Sequence, residues 1–271
     1  MYIIFTLLKL QSEKFQMNKH LFMTALFMIA VSVCFSQQYG TFKDSRDGKV
    51  YKTAKIGSQV WLAENLNVDR FRNGDLIPQA KTDEEWKAAG QNGKPAWCYY
   101  NNDSKNSTNC GKLYNWFAVN DPRGLAPSGW RIPTESDWKR LETYLGNGFK
   151  ENGWQTNKPI ALQLKNSFGW GSDGRTKDVN GNNSSGFSCN PCGMRAGNDG
   201  YFEDGPTSLE SKYGFGLSSN IWFSTGVSSS PNGVSNNSAF GSFMSYESNS
   251  SGGYTIFPKY HGASVRCIKD K

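Results

Sequence analysis

The residues Gly124-Leu-Ala-Pro-Ser-Gly-Trp-Arg-Ile-Pro-Thr-Glu-Ser-Asp-Trp138 contain the clearest helix start in the chain. Thr134 is an N-cap residue, and Asp137 three positions later completes a variant of the capping box. Apolar side chains then recur at helical spacing, at Trp138, Leu141 and Leu145. The pattern predicts a helix that runs to about Leu145 and is ended by Gly146, with Trp138 in the core.

Shorter patterns on both sides of this helix predict small strands and two more helices. Asp47-Gly48 is typical of a hairpin turn within residues 41–66, and residues 82–89 and 159–164 carry helix signals. Strand-like pieces occupy residues 221–223, 239–246, 254–257 and 263–268. This order predicts an α+β domain of small, twisted antiparallel sheets with two or three short helices and long loops.

Composition narrows the class of protein before any site is considered. The chain has 271 residues, of which 37% are apolar, 14% aromatic and 20% charged, so it can bury a core. Its histidines are His20 and His261 alone. A zinc site of several histidines, a two-histidine iron site or a Ser-His-Asp triad is therefore very hard to build. The composition argues against most hydrolase and metalloenzyme chemistry.

Residues 1–36 have the layout of a secretory signal peptide, with Met17 as the expected start. A short basic head at residues 17–20 precedes an apolar run at residues 21–35 and the small residue Ser36. The run is shorter than the roughly 20 residues of a membrane span, which favours cleavage. We expect residues 37–271 to form a single exported domain, periplasmic, cell-surface or secreted, with no transmembrane span. Two alternatives stay open, an uncleaved anchor and a lipoprotein attached through Cys34.

The charge of the mature chain predicts no nucleic-acid partner. Cleavage after Ser36 removes three lysines and one glutamate, so the net charge falls from +7 to +5 (7 − 3 + 1). The remaining positive charge is spread along the chain without a Lys/Arg run, which is typical of charge that serves solubility.

Five cysteines follow the signal peptide, at positions 98, 110, 189, 192 and 267. In an exported protein they favour disulfides over metal ligands, and an odd number leaves one unpaired. Cys189-Asn-Pro-Cys192 is spaced like a thioredoxin-type redox pair, but the Gly- and Ser-rich surroundings favour a loop and a local staple. From the residues alone, Cys98 can bond either to Cys110 or to Cys267.

Five motifs, in order along the chain, resemble one known family. They are residues 61–66 (WLAENL), 98–103 (CYYNND), 111–116 (GKLYNW), 124–133 (GLAPSGWRIP) and 264–270 (SVRCIKD). Together they are similar to the Fibrobacter succinogenes major paralogous domain family, over nearly all of the mature chain. Residues 130–138 are also similar to the C-type-lectin-like and formylglycine-generating-enzyme superfamily, which implies a C-type-lectin-like fold. The resemblance implies an exported or surface protein of the kind found in Bacteroidetes, with no established catalytic activity.

The resemblance also implies a set of disulfides. Members of the family carry counterparts of Cys98 and Cys267, which favours a bridge between these two. Cys189 and Cys192 are both additions to the family pattern, and we expect them to pair with each other. Cys110 is then free or is an alternative partner of Cys98.

The leading functional hypothesis is a non-catalytic recognition module that binds an extracellular glycan or protein through its C-terminal loops. Residues 222–260 are rich in Ser and Asn with interleaved aromatic rings, a composition that makes adaptable contacts in binding loops. The candidate ligand-binding residues are Trp222, Phe243, Tyr246, Tyr254, Tyr260 and His261. The competing interpretation places Trp222, Phe243 and Tyr254 in the core of the last strands.

Three further hypotheses are kept beside this one. A structural part of a cell-envelope or pilus-like assembly is one. An enzyme of the formylglycine-generating type is another, although it would need a reactive cysteine pair near the C-terminal end, where only Cys267 lies. The third is a calcium ion on oxygen ligands at alternating positions, for which the candidates are Asp178, Asn180, Asn182 and Asp199. The full calcium-loop pattern and the lectin sugar-site signatures are missing from the sequence, so we expect no cofactor and keep calcium only as the alternative.

Overall fold

A computed structural model describes residues 39–146, 160–171, 180–203, 216–228, 236–246 and 254–270. The described residues belong to one compact unit that begins at Tyr39. The predicted signal peptide, residues 1–36, lies outside them. No helix in these ranges is long and apolar enough to cross a membrane.

The strands are short and all pair antiparallel. In chain order they are β1 (Tyr39–Lys43), β2 (Val50–Ile56), β3 (Gln59–Leu62), β4 (Trp97–Cys98), β5 (Leu113–Tyr114), β6 (Trp130–Arg131), β7 (Met194–Arg195), β8 (Phe202–Glu203), β9 (Ser218–Gly226), β10 (Ser238–Ser245), β11 (Tyr254–Pro258) and β12 (Ile268–Lys269). They form a five-stranded sheet in the order β1-β2-β3-β12-β6, a three-stranded sheet in the order β11-β10-β9, and the pairs β4-β5 and β7-β8. The predicted α+β class with small antiparallel sheets is confirmed.

The five-stranded sheet joins both ends of the described chain. β1 and β2 form the predicted hairpin, in which Lys43 pairs with Val50 around the Asp47-Gly48 turn. Gly48 adopts a φ of 75°, which a glycine supplies without steric cost. At the other end of the sequence, Ile268 of β12 pairs with Trp61 of β3 and with Arg131 of β6. The last residues therefore hold the N-terminal strands to the middle of the chain.

The helices are α1 (Asp83–Gln91), α2 (Ser107–Cys110), α3 (Trp116–Val119), α4 (Glu135–Tyr144) and α5 (Ile160–Leu164). The predicted helices at residues 82–89, 134–145 and 159–164 are confirmed as α1, α4 and α5. Thr82 and Thr134 are N-caps with full capping boxes, closed by Glu85 and Asp137. The described residues contain five short helices. Two of them, α2 and α3, were not predicted because single turns are too short to show a helical period.

The core of the described residues consists of three apolar clusters. The first lies around Tyr51, Tyr114, Trp222 and Cys267, and the second around Trp61 and Trp138. The third contains Trp86 and Cys98. In the second cluster, Trp61 and Trp138 meet edge to face with 6.3 Å between ring centroids, which confirms that Trp138 is a core residue.

The disulfide is not one of the two predicted bonds. Cys110 bonds to Cys192, with 5.3 Å between the Cα atoms, whereas Cys98, Cys189 and Cys267 are buried free thiols. Cys98 and Cys267 lie in different core clusters, which explains why the predicted bond between them is wrong. The predicted Cys189–Cys192 bond is also wrong, because the Cys189 thiol turns inward and donates to the Ser219 hydroxyl at 3.1 Å.

Candidate functional site

Trp222, the first of the predicted ligand contacts, lies in the core. Trp222 is fully buried, its indole N–H donates to the Tyr114 carbonyl at 2.8 Å, and its ring packs edge to face on Phe257. The prediction that Trp222 contacts a ligand is therefore wrong, and the core interpretation holds for it. Burial of a tryptophan with a satisfied N–H is the usual arrangement in a core.

The other predicted ligand contacts lie on or shortly after β10 and β11. Phe243 is 39% exposed on β10, and Tyr246 packs against the second core cluster. Tyr254 pairs through its backbone with Ser242 at the edge of the three-stranded sheet. Tyr260 and His261 are half-buried neighbours, and burial lowers the pKa of His261. Ligand binding by these five residues stays a prediction.

A polar cleft of about 310 Å³ opens elsewhere on the domain. Its lining comes from distant parts of the sequence: Lys49, Lys52, Ala63, Glu64, Asn65, Ser107, Thr108, Asn109, Gly111, Asn166, Phe168, Asn183, Ser188 and Asn190. One wall is formed by the β2–β3 region, a second by α2, and a third by the loops that follow α5. The volume is at the small end of the roughly 300–1,000 Å³ found for small-molecule sites.

The walls of the cleft are tied together behind its surface. The Cys110–Cys192 disulfide joins the end of α2 to the third wall. The fully buried Arg266 donates to Asn65 Oδ1 and to the Ser188 carbonyl, both at 2.8 Å, so it joins the first wall to the third. Gly111, with a φ of 66°, passes so close to the Leu66 carbonyl that a Cβ would lie 2.6 Å from it. The cleft therefore has a fixed base.

A hydrogen-bond network holds the asparagine side chains that line the third wall. Asn190 accepts from the Asn166 amide at 2.9 Å and donates to the Asn109 carbonyl of α2 at 2.8 Å. Asn183 and Ser188 bond each other twice, each contact being 2.8 Å long. Both residues have left-handed φ values, 50° and 53°. Such backbone is costly outside glycine and is concentrated at functional sites.

The rim of the cleft carries groups that remain open to a ligand. The side chains of Ser107, Thr108 and Asn109 make no hydrogen bond within the described ranges. Glu64 uses one carboxylate oxygen to accept the Lys52 backbone N–H at 2.7 Å, which leaves the other oxygen free. Phe168 projects its ring at the same cleft and is 62% exposed. An exposed ring beside free hydroxyl, amide and carboxylate groups can hold a ligand with both polar and apolar faces.

The calcium candidates serve local turns where the structure describes them. Asn180, Asn182 and Asp199 use a side-chain oxygen to accept the backbone N–H of Trp170, Ser184 and Tyr201 respectively, at 3.0 to 3.1 Å. Asp178 lies outside the described residues. Among those described, no three His, Cys, Asp or Glu side chains come together as a metal site would need.

The free thiols are poorly suited to nucleophilic chemistry. Burial raises the pKa of both Cys98 and Cys267 to about 12, and it also raises the pKa of Cys189. A reactive cysteine needs a lowered pKa and access to solvent. Cys267 therefore does not have the properties of the reactive cysteine that the enzyme hypothesis requires.

Sequence reasoning missed the cleft because its parts are far apart along the chain. The tracts that supply it, at residues 107–109 and 183–190, read as polar turns. The one local signal is the isolated Phe168 after Lys165-Asn-Ser, an apolar ring in a polar loop.

These features define the class of protein as a small, loop-rich α+β module with a rigid polar cleft. The family described as the Fibrobacter succinogenes major domain matches residues 54–269, which is most of the chain. The chain belongs to this family, so the resemblance of the five motifs is confirmed. No curated protein and no solved structure matches the chain, and the C-type-lectin-like fold therefore stays a prediction.

Proposed function

We propose that this protein is an exported, non-catalytic recognition module that binds a glycan in the polar cleft. The observation that supports the proposal is the exposed Phe168 ring beside free hydroxyl and amide groups at the rim. A sugar ring has an apolar face of C–H groups and a rim of hydroxyls, so it complements both kinds of group. The fixed base favours this use, because a preorganised site loses less entropy on binding.

Export of the chain is part of the proposal and has separate support. The basic head and apolar run of residues 17–35 are typical of a signal peptide. The Cys110–Cys192 disulfide, which joins residues 82 positions apart, also supports export, because disulfides form and persist in oxidising compartments. N-terminal sequencing of the protein from the culture supernatant or envelope fraction should begin at Gln37.

The binding site can be tested with a pair of matched aromatic variants. Phe168→Ala should weaken glycan binding on an array by at least about tenfold, or about 1.4 kcal/mol, because the apolar face of the sugar loses its partner. Tyr201→Ala is the control, since Tyr201 is equally exposed, at 65%, and is not among the residues that line the cleft. It should bind like the wild type.

Two other outcomes would decide against the cleft. Loss of binding in Tyr246→Ala or Tyr260→Ala, with Phe168→Ala unchanged, would return the site to the C-terminal loops. Binding of no glycan, together with co-purification in an envelope complex, would favour a structural role in an assembly.

A further inference from the structure

We infer, on the basis of the proposed function, that the ligand of the cleft is an anionic saccharide that carries a carboxylate or sulfate group. The inference rests on the charges that the fold places at the rim and behind the base of the cleft. Lys49 and Lys52 line it, and Arg266 lies directly behind it. Within the part of the chain that the structure describes, Glu64 is the one acidic residue of the lining.

The Arg266 guanidinium is a fully buried charge that forms no ion pair within the described residues, although the Glu64 carboxylate of the cleft lining attracts it. It donates to Asn65 Oδ1 and to the carbonyls of Phe187 and Ser188, all of which are neutral oxygens, and the described ranges hold no ion pair to it. Burial lowers its pKa to about 10, so it keeps its charge at neutral pH. Glu64 forms no ion pair with Arg266, so the buried charge is not fully neutralised and its field reaches the nearest open space. That space includes the cleft, because Asn65 and Ser188 line it.

The rim adds two lysines that can reach an acidic group directly. Lys52 is exposed and lines the cleft, so its ammonium is accessible to a ligand. The Lys49 ammonium lies 4.7 Å from the centre of the Tyr51 ring, a weak contact that a carboxylate can replace. Lysine is a mobile point charge suited to carboxylate and sulfate groups.

The Glu64 carboxylate completes the match to an acidic sugar. Its Oε2 is held by the Lys52 backbone N–H, so its free oxygen is positioned to accept a sugar hydroxyl. A simple anion has no hydroxyls for Glu64 and no apolar face for Phe168, whereas a neutral sugar leaves both lysines unpaired. An anionic saccharide uses all three kinds of group.

The test is a glycan array that pairs each uronic-acid oligosaccharide with its methyl ester and each sulfated oligosaccharide with its desulfated form. The protein should prefer the acidic member of a pair by about tenfold, since charge-assisted hydrogen bonds are roughly twice as strong as neutral ones. Whether the uronic-acid or the sulfated pairs respond identifies the anionic group. Binding should also weaken between about 50 mM and 500 mM salt, because exposed charges are screened.

Lys52→Ala should lower the affinity for the preferred acidic glycan by about five- to tenfold and abolish its advantage over the uncharged form. Lys55→Ala is the matched control, because Lys55 is an exposed lysine of the same strand that does not line the cleft. It should keep wild-type affinity.

The outcomes separate this inference from the proposed function. Equal binding to charged and uncharged glycans that still depends on Phe168 overturns the anionic ligand and leaves the recognition module intact. Equal losses in Lys52→Ala and Lys55→Ala also overturn it, because the attraction is then a general effect of net charge. Failure of every glycan to bind refutes both proposals.

Discussion

Glu142 should make the stability of this domain fall as pH rises, and its replacement by glutamine should remove that dependence. The side chain is fully buried on α4, where the Trp138 indole N–H donates to Oε1 at 3.0 Å. The other oxygen, Oε2, is buried and has no hydrogen-bond partner. Burial raises the pKa of the carboxyl from 4.5 to about 7, because the ionised form loses its hydration.

The size of the effect follows from the two pKa values. The folded protein holds a proton that the unfolded chain releases, so stability is lost as pH rises from about 4.5 through about 7. For these values, the loss between pH 5 and pH 8 is roughly 2.5 kcal/mol. Glutamine keeps an acceptor for Trp138 and never ionises. The advantage of Glu142→Gln over the wild type should therefore be larger at pH 8 than at pH 5 by roughly this amount.

Urea denaturation of the oxidised protein at pH 5 and pH 8 measures this difference. Because each comparison is between variant and wild type at one pH, the titration of all other groups cancels. Glu135→Gln is the control, since Glu135 lies on the same helix in an (i, i+4) ion pair with Lys139, and its effect should be small. A change in the Glu142→Gln effect of less than about 0.5 kcal/mol between the two pH values would refute the reasoning.

Two further predictions concern the links between distant segments. The double variant Cys110→Ala/Cys192→Ala should be about 4 kcal/mol less stable than the oxidised wild type, given the separation of 82 residues. In a thermal melt, a reductant should lower the Tm of the wild type to about that of the double variant and leave the Tm of the double variant unchanged. At Asp137, burial acts to raise the pKa, but the Arg131 guanidinium and the bonds from Thr134 outweigh it and lower the pKa to about 2. The stability that the ionised Asp137 contributes is present above about pH 4 and lost as pH falls through about 2. Asp137→Asn should therefore lower the free energy of unfolding at pH 7 by about 1–2 kcal/mol, a value reduced because solvent screens the half-exposed Arg131. The variant should also lose less stability than the wild type as the pH is lowered towards 2, which acid unfolding measures.

Sequence reasoning succeeded where the signal was local. The capping box at Thr134 and the cap candidates Thr82 and Asp83 each lie within a few consecutive residues, so the starts of α1 and α4 could be predicted. The Asp47-Gly48 turn predicted the first hairpin for the same reason. Single-turn helices such as α2 contain no period, and these went unpredicted.

The disulfide pairing could not be derived from spacing or from the family pattern. Cys189 and Cys192 are three residues apart, yet their side chains point to different environments. Cys189 is packed in the second core cluster, and Cys192 faces the end of α2. That α2 lies beside this loop is a property of the tertiary structure, and no local feature of residues 107–110 states it. The cleft could not be predicted for the same reason, because it lies between α2 and this loop.

The burial of Trp222 shows why aromatic content alone is a poor guide to a binding face. A strand that buries its aromatic rings and a loop that exposes them can have the same composition. The sequence does not show which strands pair with them, so it does not distinguish the two. Pairing with β10 on one side, and the bond from its indole to Tyr114, place Trp222 inside. Phe168 differs because 62% of it is exposed, which leaves the ring in water beside the polar groups of the cleft.

A buried guanidinium and a left-handed serine lie behind the cleft, and they are the strongest structural reason to regard it as a site. A buried guanidinium without an ion pair costs free energy, and so does the left-handed backbone at Ser188. Ordinary core packing needs neither, since apolar side chains of the same volume would fill the space under Asn65 at less cost. Other left-handed residues, Asn101 and Asn102, lie in an exposed turn, where asparagine tolerates this conformation well. Serine does not tolerate this conformation as asparagine does. The strained backbone of Ser188 is held by two hydrogen bonds, from the Asn183 amide to its hydroxyl and from Arg266 to its carbonyl. Strain and buried charge persist where surrounding structure fixes them, and here both fix the same polar wall. If the wall served stability alone, Ser188→Gly would stabilise the domain, because glycine adopts this φ freely, and would leave glycan affinity unchanged. We expect affinity to fall instead, as the hydroxyl that orients Asn183 is lost.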